Sequence, residues 1–242
     1  MIAINRFFTE AEISDGKIIL SDENVHHIRN VLKLNENEKL VLIKNKKEFL
    51  CSIDKIEKNS IIVSMEKEIE AKKENDFSLT LIQGVPKGDK SEFIVEKAVE
   101  AGASEIYFVN TKRSVAVIDK AKAGKKLERF AKIARSAACQ SGRLIIPEVK
   151  CFGNISEIDF SSYSLKLLCY EDEKNTSLKE ILKSCENIAS IAVFIGPEGG
   201  IDSKEADYLQ NQGFKCVSLG ERILRCETAG LYSLACINYE LN

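Results

Sequence analysis

Residues 194–205 read FIGPEGGIDSKE and mark a change from strand to helix. The apolar run IAVFI at 191–195 predicts a buried strand, and Asp202 and Glu205 have the spacing of a helix capping box. Three of the five residues from 196 to 200 are glycine, more than one turn requires. We therefore expect another group to come close to the main chain here. An ordinary strand-to-helix turn is the alternative.

Strands and helices alternate on both sides of this loop. Further buried strands are predicted at 79–84, 105–110, 165–170 and 214–219. Helices are predicted from Asp89 to about Gly102, at 125–139 and 177–184, from Asp202 to about Gly213, and from about Glu227 onward. The first of these has a second capping-box spacing, Asp89 with Glu92. The pattern is typical of an α/β domain with a mostly parallel sheet covered on both faces.

Ligands of such sheets bind in the loops beyond the carboxyl ends of the strands. The loops that follow predicted strands are 84–89, 170–176, 196–201 and 220–226.

The first 65 residues follow a different pattern. Short aliphatic runs separated by polar clusters predict a small sheet or barrel, with strands at 18–20, 39–43, 49–53 and 60–65. One helix is predicted after Ser21 as N-cap, because Val25, Ile28 and Leu32 recur at helical spacing. The polar residues 66–78 fit a linker. We therefore predict one domain at 1–70, a linker at 71–78 and a second domain at 79–242.

Composition excludes several classes of protein. The 242 residues carry a formal net charge of −2, and no apolar stretch is long enough for a signal peptide or a membrane span. The eight cysteines include no C-x-x-C pair, and there are two histidines, so no metal site is expected. Scattered single cysteines predict reduced thiols in a cytosolic protein.

A basic run interrupts this balanced composition. Residues 112–135 contain nine basic residues against two acidic ones. A solvated helix face explains such a run, and so does a strip that contacts phosphates. The charge alone leaves both readings open.

Two common nucleotide-binding motifs are absent. The loop GVPKGDKS at 84–91 resembles a P-loop, but it has three residues between its glycines instead of four, and Asp89 precedes Lys90. The G-x-G-x-x-G fingerprint of dinucleotide-binding folds is also missing.

The loop at 219–230, LGERILRCETAG, contains two arginines three residues apart. Glu227 at the start of a helix is explained by the helix dipole. Arg222 and Arg225 stand at the carboxyl end of a predicted buried strand and are therefore expected near the ligand crevice. Salt bridges on the surface are the alternative for both arginines.

Together these segments resemble the SPOUT, or α/β-knot, methyltransferases, and most closely the ribosomal RNA small subunit methyltransferase E family. The resemblance lies in five segments that follow the family's order. They are RFF with HHIRNVLKL (6–8 and 26–34), 87–115, 129–149, FIGPEGGIDSKE and LGERILRCETAG. It implies a small PUA-like RNA-binding β-barrel domain followed by a C-terminal α/β trefoil-knot (SPOUT) domain. Periodicity alone would have predicted an open sheet, because knots are rare.

The resemblance also implies an activity. The family uses S-adenosylmethionine (SAM) to methylate a uridine of 16S ribosomal RNA, on the ring nitrogen between the two carbonyls. It implies a homodimer, with the 30S subunit as partner. Residues expected at the SAM pocket are Leu168, Tyr170, Gly196, Pro197, Gly199, Gly200, Leu219, Gly220, Ile223 and Leu224.

The same resemblance suggests roles for charged residues. Arg225, or failing it Arg222, is the candidate to stabilise the uracil anion, and Glu198 either orients the base, assists proton removal or is structural. Candidate RNA contacts are Arg6, Arg29, Lys33, Lys112, Arg113, Arg129, Arg135 and Arg143. Two other functions stay open, a non-catalytic RNA-binding assembly factor and a methyltransferase acting on another RNA.

Overall fold

A computed structural model describes residues 4–70, 74–119, 123–185 and 187–242. The chain divides into two compact units. The first comprises Met1–Glu74 with Ala138–Ile145, and the second comprises Asn75–Ala137 with Ile146–Asn242. Within the described ranges, no helix is long and apolar enough to cross a membrane.

The first unit contains a six-stranded sheet in the order β1-β4-β5-β6-β3-β2. Its strands are β1 (Arg6–Phe8), β2 (Ile13–Ser14), β3 (Lys17–Leu20), β4 (Lys39–Lys44), β5 (Lys47–Ile56) and β6 (Ile61–Ile69). Neighbouring strands are antiparallel except β1 and β4, which are parallel. The four predicted strands are confirmed, whereas β1 and β2 are too short for periodicity to reveal.

Strand β6 runs farther than the sequence predicts. Residues 66–69, predicted as the start of a polar linker, are strand. Their charged side chains form cross-strand ion pairs. Lys39 Nζ lies 2.8 Å from Glu66 Oε2, and Lys47 Nζ lies 2.9 Å from Glu68 Oε1. A strand whose outer face pairs charges lacks the apolar alternation on which the prediction relied.

The predicted helix after Ser21 is present but short. Helix α1 (Asp22–His26) continues as one π-helical turn, His27–Val31. Val25 and Ile28 are buried, as predicted. Ser21 occupies the N-cap position in an extended conformation but makes no side-chain cap hydrogen bond.

The second unit contains a six-stranded sheet in the order β12-β10-β11-β7-β8-β9, and every neighbouring pair is parallel. Its strands are β7 (Ser78–Gly84), β8 (Glu105–Val109), β9 (Glu148–Phe152), β10 (Leu165–Cys169), β11 (Ser190–Ile195) and β12 (Lys215–Val217). Its helices are α2 (Lys90–Glu100), α3 (Gly124–Ser141, the last residues of which belong to the first unit), α4 (Leu178–Lys183), α5 (Ser203–Asn211) and α6 (Cys226–Leu241).

The predicted parallel sheet is confirmed. Strand β9 was not predicted, because this edge strand is only half-buried and includes Glu148 and Lys150.

Neither of the two predicted capping boxes is complete in the structure. Asp89 makes no side-chain cap hydrogen bond, and Glu92 instead accepts one from Arg129 Nη2 at 2.7 Å. Asp202 does cap its helix, accepting from the Lys204 N–H at 3.2 Å. Glu205, however, accepts a hydrogen bond from a distant loop rather than from the cap. Tertiary partners therefore replaced the local partners that capping-box spacing predicts.

Candidate active site

A cavity of about 400 Å³ opens at the carboxyl ends of β10, β11 and β12. Four segments line it: the start of α2, residues 169–174, residues 195–201, and residues 217–229. The predicted ligand residues that line the cavity are Tyr170, Gly196, Pro197, Glu198, Gly200, Leu219, Gly220, Arg222, Ile223, Leu224 and Arg225. The expected position of a site in a parallel sheet is thus the observed one.

Two of the predicted residues do not line the cavity. Leu168 is fully buried in the apolar core of the second unit. Gly199 faces the other way, because a Cβ on it would lie 2.9 Å from the backbone oxygen of Arg113. Both residues support the cavity wall without contributing to its surface.

The glycines of the loop 196–200 are required by close approach. A Cβ on Gly196 would lie 2.8 Å from Ile201 Cγ1 and 3.1 Å from the backbone carbon of Gly200. Gly200 has φ +72°, and a Cβ there would collide with the carboxylate of Glu171. The loop folds so tightly on itself that side chains are excluded.

A second backbone segment also reaches this loop, and it is one source of the close approach that the glycines indicate. Gly84, at the end of β7, packs so closely that a Cβ on it would lie 2.6 Å from Pro197 Cδ and 2.7 Å from Pro197 N. The ends of β7 and β11 therefore meet with no side chain between them.

The side chain of Gln83 binds the backbone of Gly196, the first glycine of the loop. This side chain is fully buried, and Nε2 donates to the carbonyl oxygens of Gly196 at 3.1 Å and Gly84 at 3.2 Å. Among the described residues, no hydrogen-bond partner reaches the buried Oε1 atom. The two donor contacts satisfy buried carbonyl oxygens that would otherwise lose this hydrogen-bond partner, which is a cost on the order of 1–3 kcal/mol for each buried group left unpaired. The sequence analysis missed Gln83, because it reads as one polar residue in an apolar strand.

Glu198 belongs to a three-residue ion network. Its carboxylate accepts hydrogen bonds from the Lys87 N–H at 3.1 and 3.2 Å and from Lys90 Nζ at 2.8 Å. Lys90 Nζ also lies 3.1 Å from Glu227 Oε2. This network joins the glycine loop to the loop before α2 and to the first turn of α6. Lys90, which the sequence analysis did not propose, is the residue that connects them.

The network determines the charge of its members. Burial would raise the pKa of Glu198, but hydrogen bonds from Lys90 and from backbone N–H groups outweigh it, so its pKa lies below the usual value. The pKa of Glu227 is lowered in the same way against burial. The hydrogen bond to Glu198 raises the pKa of Lys90, which stays protonated. Burial raises the pKa of the neighbouring Cys226 thiol to about 12. The network therefore holds two carboxylates and one ammonium near neutral pH.

Two arginines also line the cavity, together with Glu171, Lys174 and Glu221. Arg222 and Arg225 are exposed side chains, and within the described residues neither makes an ion pair. Arg225 is the N-cap residue of α6. The two guanidinium groups are thus free to receive a negatively charged ligand, in contrast to the surface salt bridges considered as their alternative.

Two RNA candidates of the first unit have carboxylate partners. Arg6 Nη2 lies 2.9 Å from Oε1 of the buried Glu48. Arg143 is only 5% exposed, and its Nη2 lies 2.6 Å from Oε2 of Glu74. A buried, paired guanidinium is structural. The structure contradicts an RNA-facing position for Arg143, and we do not retain it among the RNA contacts.

The other candidates lie at the surface or near it. Arg29 Nη1 donates to the Lys58 carbonyl oxygen at 3.1 Å, and Lys33 is exposed with φ +52°. On α3, Arg129 is exposed and Arg135 is half-buried. Lys112 and Arg113 are exposed beside the glycine loop. Their RNA contacts stay predictions.

Comparison with known proteins adds independent information. Residues 73–238 match the family model described as RNA methyltransferase domain, and residues 20–66 match RNA methyltransferase PUA domain. Ribosomal RNA small subunit methyltransferase E of Bacillus subtilis is 32% identical over 248 residues, covering 98% of this chain and 97% of that protein.

Solved structures of methyltransferases have a similar fold. A ribosomal RNA small subunit methyltransferase E from Neisseria gonorrhoeae bound to SAM is 30% identical, with a TM-score of 0.87 and 98% of both chains covered. A putative methyltransferase from Legionella pneumophila in complex with SAM is 29% identical, with a TM-score of 0.88 and the same coverage.

The fold and the site therefore define an RNA methyltransferase domain of the SPOUT class preceded by a PUA-like domain, and the predicted fold class is confirmed. The chain belongs to the ribosomal RNA small subunit methyltransferase E family.

Proposed function

We propose that this protein transfers the methyl group of SAM to a uridine of 16S ribosomal RNA, at the ring nitrogen between the two carbonyls. The observation that carries the proposal is the cavity at the carboxyl edge of the parallel sheet, which is lined by the glycine loop and by two arginines that form no ion pair with any other described residue. Two relatives of nearly full-length coverage are solved with SAM bound.

The cavity fits SAM in size and chemistry. Pockets for small ligands have volumes of roughly 300–1,000 Å³, and this one has about 400 Å³. The side-chain-free loop at Gly196 and Gly200 offers backbone N–H and C=O groups to an adenosine. When bound, SAM supplies an electrophilic methyl group on a sulfonium.

The residues of the chain then have distinct tasks. Transfer breaks the methyl carbon–sulfur bond and forms a carbon–nitrogen bond, while the N–H proton of the uracil leaves to solvent. Negative charge that develops on the uracil carbonyls is stabilised by Arg225, with Arg222 as the alternative. We assign Glu198 a positioning role, because it holds the loop before α2 through Lys87 and Lys90.

We further propose that the protein acts in the cytoplasm, as a homodimer, on the 30S subunit. All eight cysteines are free, which suits a reducing compartment. Helix α6 exposes Tyr232 and Tyr239, and α2 exposes Phe93, large apolar side chains that suit a subunit interface. Sedimentation velocity tests the dimer.

Labelled SAM tests the main proposal. The purified protein is incubated with methyl-labelled SAM and 30S subunits from cells that lack this activity, with naked 16S rRNA and tRNA in parallel. Label at one uridine of 16S rRNA is the expected result. Label in tRNA would support the alternative RNA substrate, and SAM binding without label in any RNA would contradict the substrate. The cavity favours an enzyme over a non-catalytic assembly factor, because such a factor needs no SAM pocket.

Gln83→Leu is expected to weaken SAM binding about tenfold, because the Gly196 carbonyl loses its buried hydrogen-bond donor. Calorimetry measures the affinity, and the melting temperature shows whether the fold is retained. Gln210→Leu, on the exposed side of α5, is the matched control and should bind SAM like the unmodified protein. Equal affinity in both variants would show that Gln83 does not position the loop.

Glu198→Gln is expected to lower the methylation rate without changing the shape of its pH profile between about pH 6 and 9. The pKa of Glu198 is below its usual value, so the carboxylate is ionised throughout this range. Its stabilising contribution is complete above the unfolded-state pKa and is lost as pH falls through the folded-state pKa. The difference in melting temperature between the variant and the unmodified protein should therefore shrink in acid. An acidic limb above pH 6 that disappears in the variant would instead identify Glu198 as a proton acceptor.

A further inference from the structure

The loop that leaves the carboxyl end of β8 is closed by its own side chains. We call residues 110–118 the strap. Asn110 Nδ2 donates to the Ile118 carbonyl oxygen, and Asn110 Oδ1 accepts from the Ile118 N–H, both at 2.9 Å. The Thr111 N–H donates to Ser114 Oγ at 3.1 Å. The two ends of the strap are thus held together, so its tip has a defined position.

The strap is attached to the glycine loop and to α5. Arg113 Nη1 donates to the Gly199 carbonyl oxygen at 3.3 Å. The Lys112 N–H donates to Glu205 Oε1 at 2.8 Å, and Lys112 Nζ donates to Asp202 Oδ2 at 2.9 Å. Gly199 lies between two residues that line the cavity. The strap therefore stands at the edge of the candidate active site.

The tip of the strap exposes aliphatic side chains. Val115 is 73% exposed and Val117 is 69% exposed, whereas Ile118 is buried. Exposed apolar side chains on a well-fixed loop beside an active site indicate a surface that binds a partner. The neighbouring sequence gives the charge of that partner. Six of the residues from 112 to 126 are basic and one is acidic. Apolar groups in a basic segment of the chain suit the faces of unpaired bases and the phosphates that join them.

We propose that the strap receives the unpaired nucleotides that flank the target base, with Val115 and Val117 packed against base faces. The proposal rests on the proposed function, since a base methylated on its ring must leave its stack. Departure of that base exposes the faces of its neighbours, and apolar side chains fill such gaps in other nucleic-acid complexes. The competing occupants are a ribosomal protein and a second copy of this chain.

Photo-cross-linking separates these occupants. The full-length protein carries p-benzoylphenylalanine in place of Val115 and is irradiated with 30S subunits that lack the methyl group. The expected product is an adduct with 16S rRNA near the methylated uridine. The same label in place of Gln210, an exposed residue near the C-terminal end of α5, should give no such adduct. An adduct of the Val115 label with a ribosomal protein or with a second copy of the chain would overturn the proposal.

Enzyme kinetics provide the second measurement. In the double variant Val115→Ala with Val117→Ala, KM for 30S subunits should rise about tenfold, because apolar contact area is lost. kcat and SAM affinity should stay within about twofold, which a misfolded protein would not show. Threonine at both positions retains the shape and should raise KM less. Unchanged KM in the alanine variant would overturn the strap proposal, whereas failure of the unmodified protein to methylate RNA would contradict the proposed function instead.

Discussion

Gly84→Ala is expected to weaken SAM binding about a hundredfold. The new Cβ would lie 2.6 Å from Pro197 Cδ and 2.7 Å from Pro197 N, distances that real Cβ atoms do not show. Pro197 is a ring in the cavity wall, so it cannot rotate away and the whole loop must shift. Because Gly84 does not have a positive φ, the effect is steric and involves no backbone strain.

Gly124→Ala is the matched control for this prediction. A Cβ on Gly124, the first residue of α3, would meet nothing within 4 Å. Calorimetric titration with SAM should give the affinity of the unmodified protein for the Gly124 variant and a large loss for the Gly84 variant. Normal affinity of a folded Gly84→Ala protein would show that the junction of β7 with the glycine loop does not shape the pocket.

Arg225→Ala is expected to lower the single-turnover rate of methyl transfer by about 10²–10³ at saturating SAM. Arg225 lines the cavity and has no ion pair within the described chain, so its guanidinium is available to the uracil carbonyls as negative charge develops. SAM affinity should change by less than about threefold, because the proposed interaction forms in the transition state. Arg225→Lys should recover part of the rate, since it restores charge without the planar fork.

Arg222→Ala identifies which arginine acts. A larger loss for Arg222→Ala than for Arg225→Ala would transfer the proposed role to Arg222. Equal rates for both variants and the unmodified protein would contradict charge stabilisation by this loop. The assay is methylation of 30S subunits, followed by mapping of the modified uridine.

The network around Lys90 explains why a role for Glu198 is difficult to infer from its position in the sequence. A carboxylate in a glycine loop suggests a general base, but a base needs a pKa near the working pH. Two donors, the Lys87 N–H and Lys90 Nζ, hold Glu198 in its ionised form. The same contacts make it effective at holding the loop before α2 in place.

Several features could be predicted from local pattern alone. The strands at 79–84, 105–110 and 191–195 are long apolar runs, and such runs are buried in a parallel sheet whatever their neighbours are. The position of the ligand loops followed from the direction of those strands. The glycine content of residues 196–200 indicated a close approach, which the contacts of Gly84 and Gly196 account for.

Other features depend on pairs of residues that are distant in the chain. Gln83 and Gly196 are 113 residues apart, and Lys90 and Glu198 are 108 residues apart. Capping-box spacing at Asp89 predicted a local hydrogen bond for Glu92, but the Glu92 carboxylate accepts a hydrogen bond from Arg129 instead. Burial of Arg143 against Glu74 is likewise invisible in a sequence where both residues read as surface charges.

Apolar periodicity and glycine positions were therefore sufficient for the class of fold and the edge at which the site lies, because both depend on the preference of each residue for water or for backbone space. The partners of the charged and amide side chains, in contrast, could be identified only from the packed structure. A polar group bonds to whichever complementary group folding places within about 3 Å, and that neighbour is set by how the strands and loops come together.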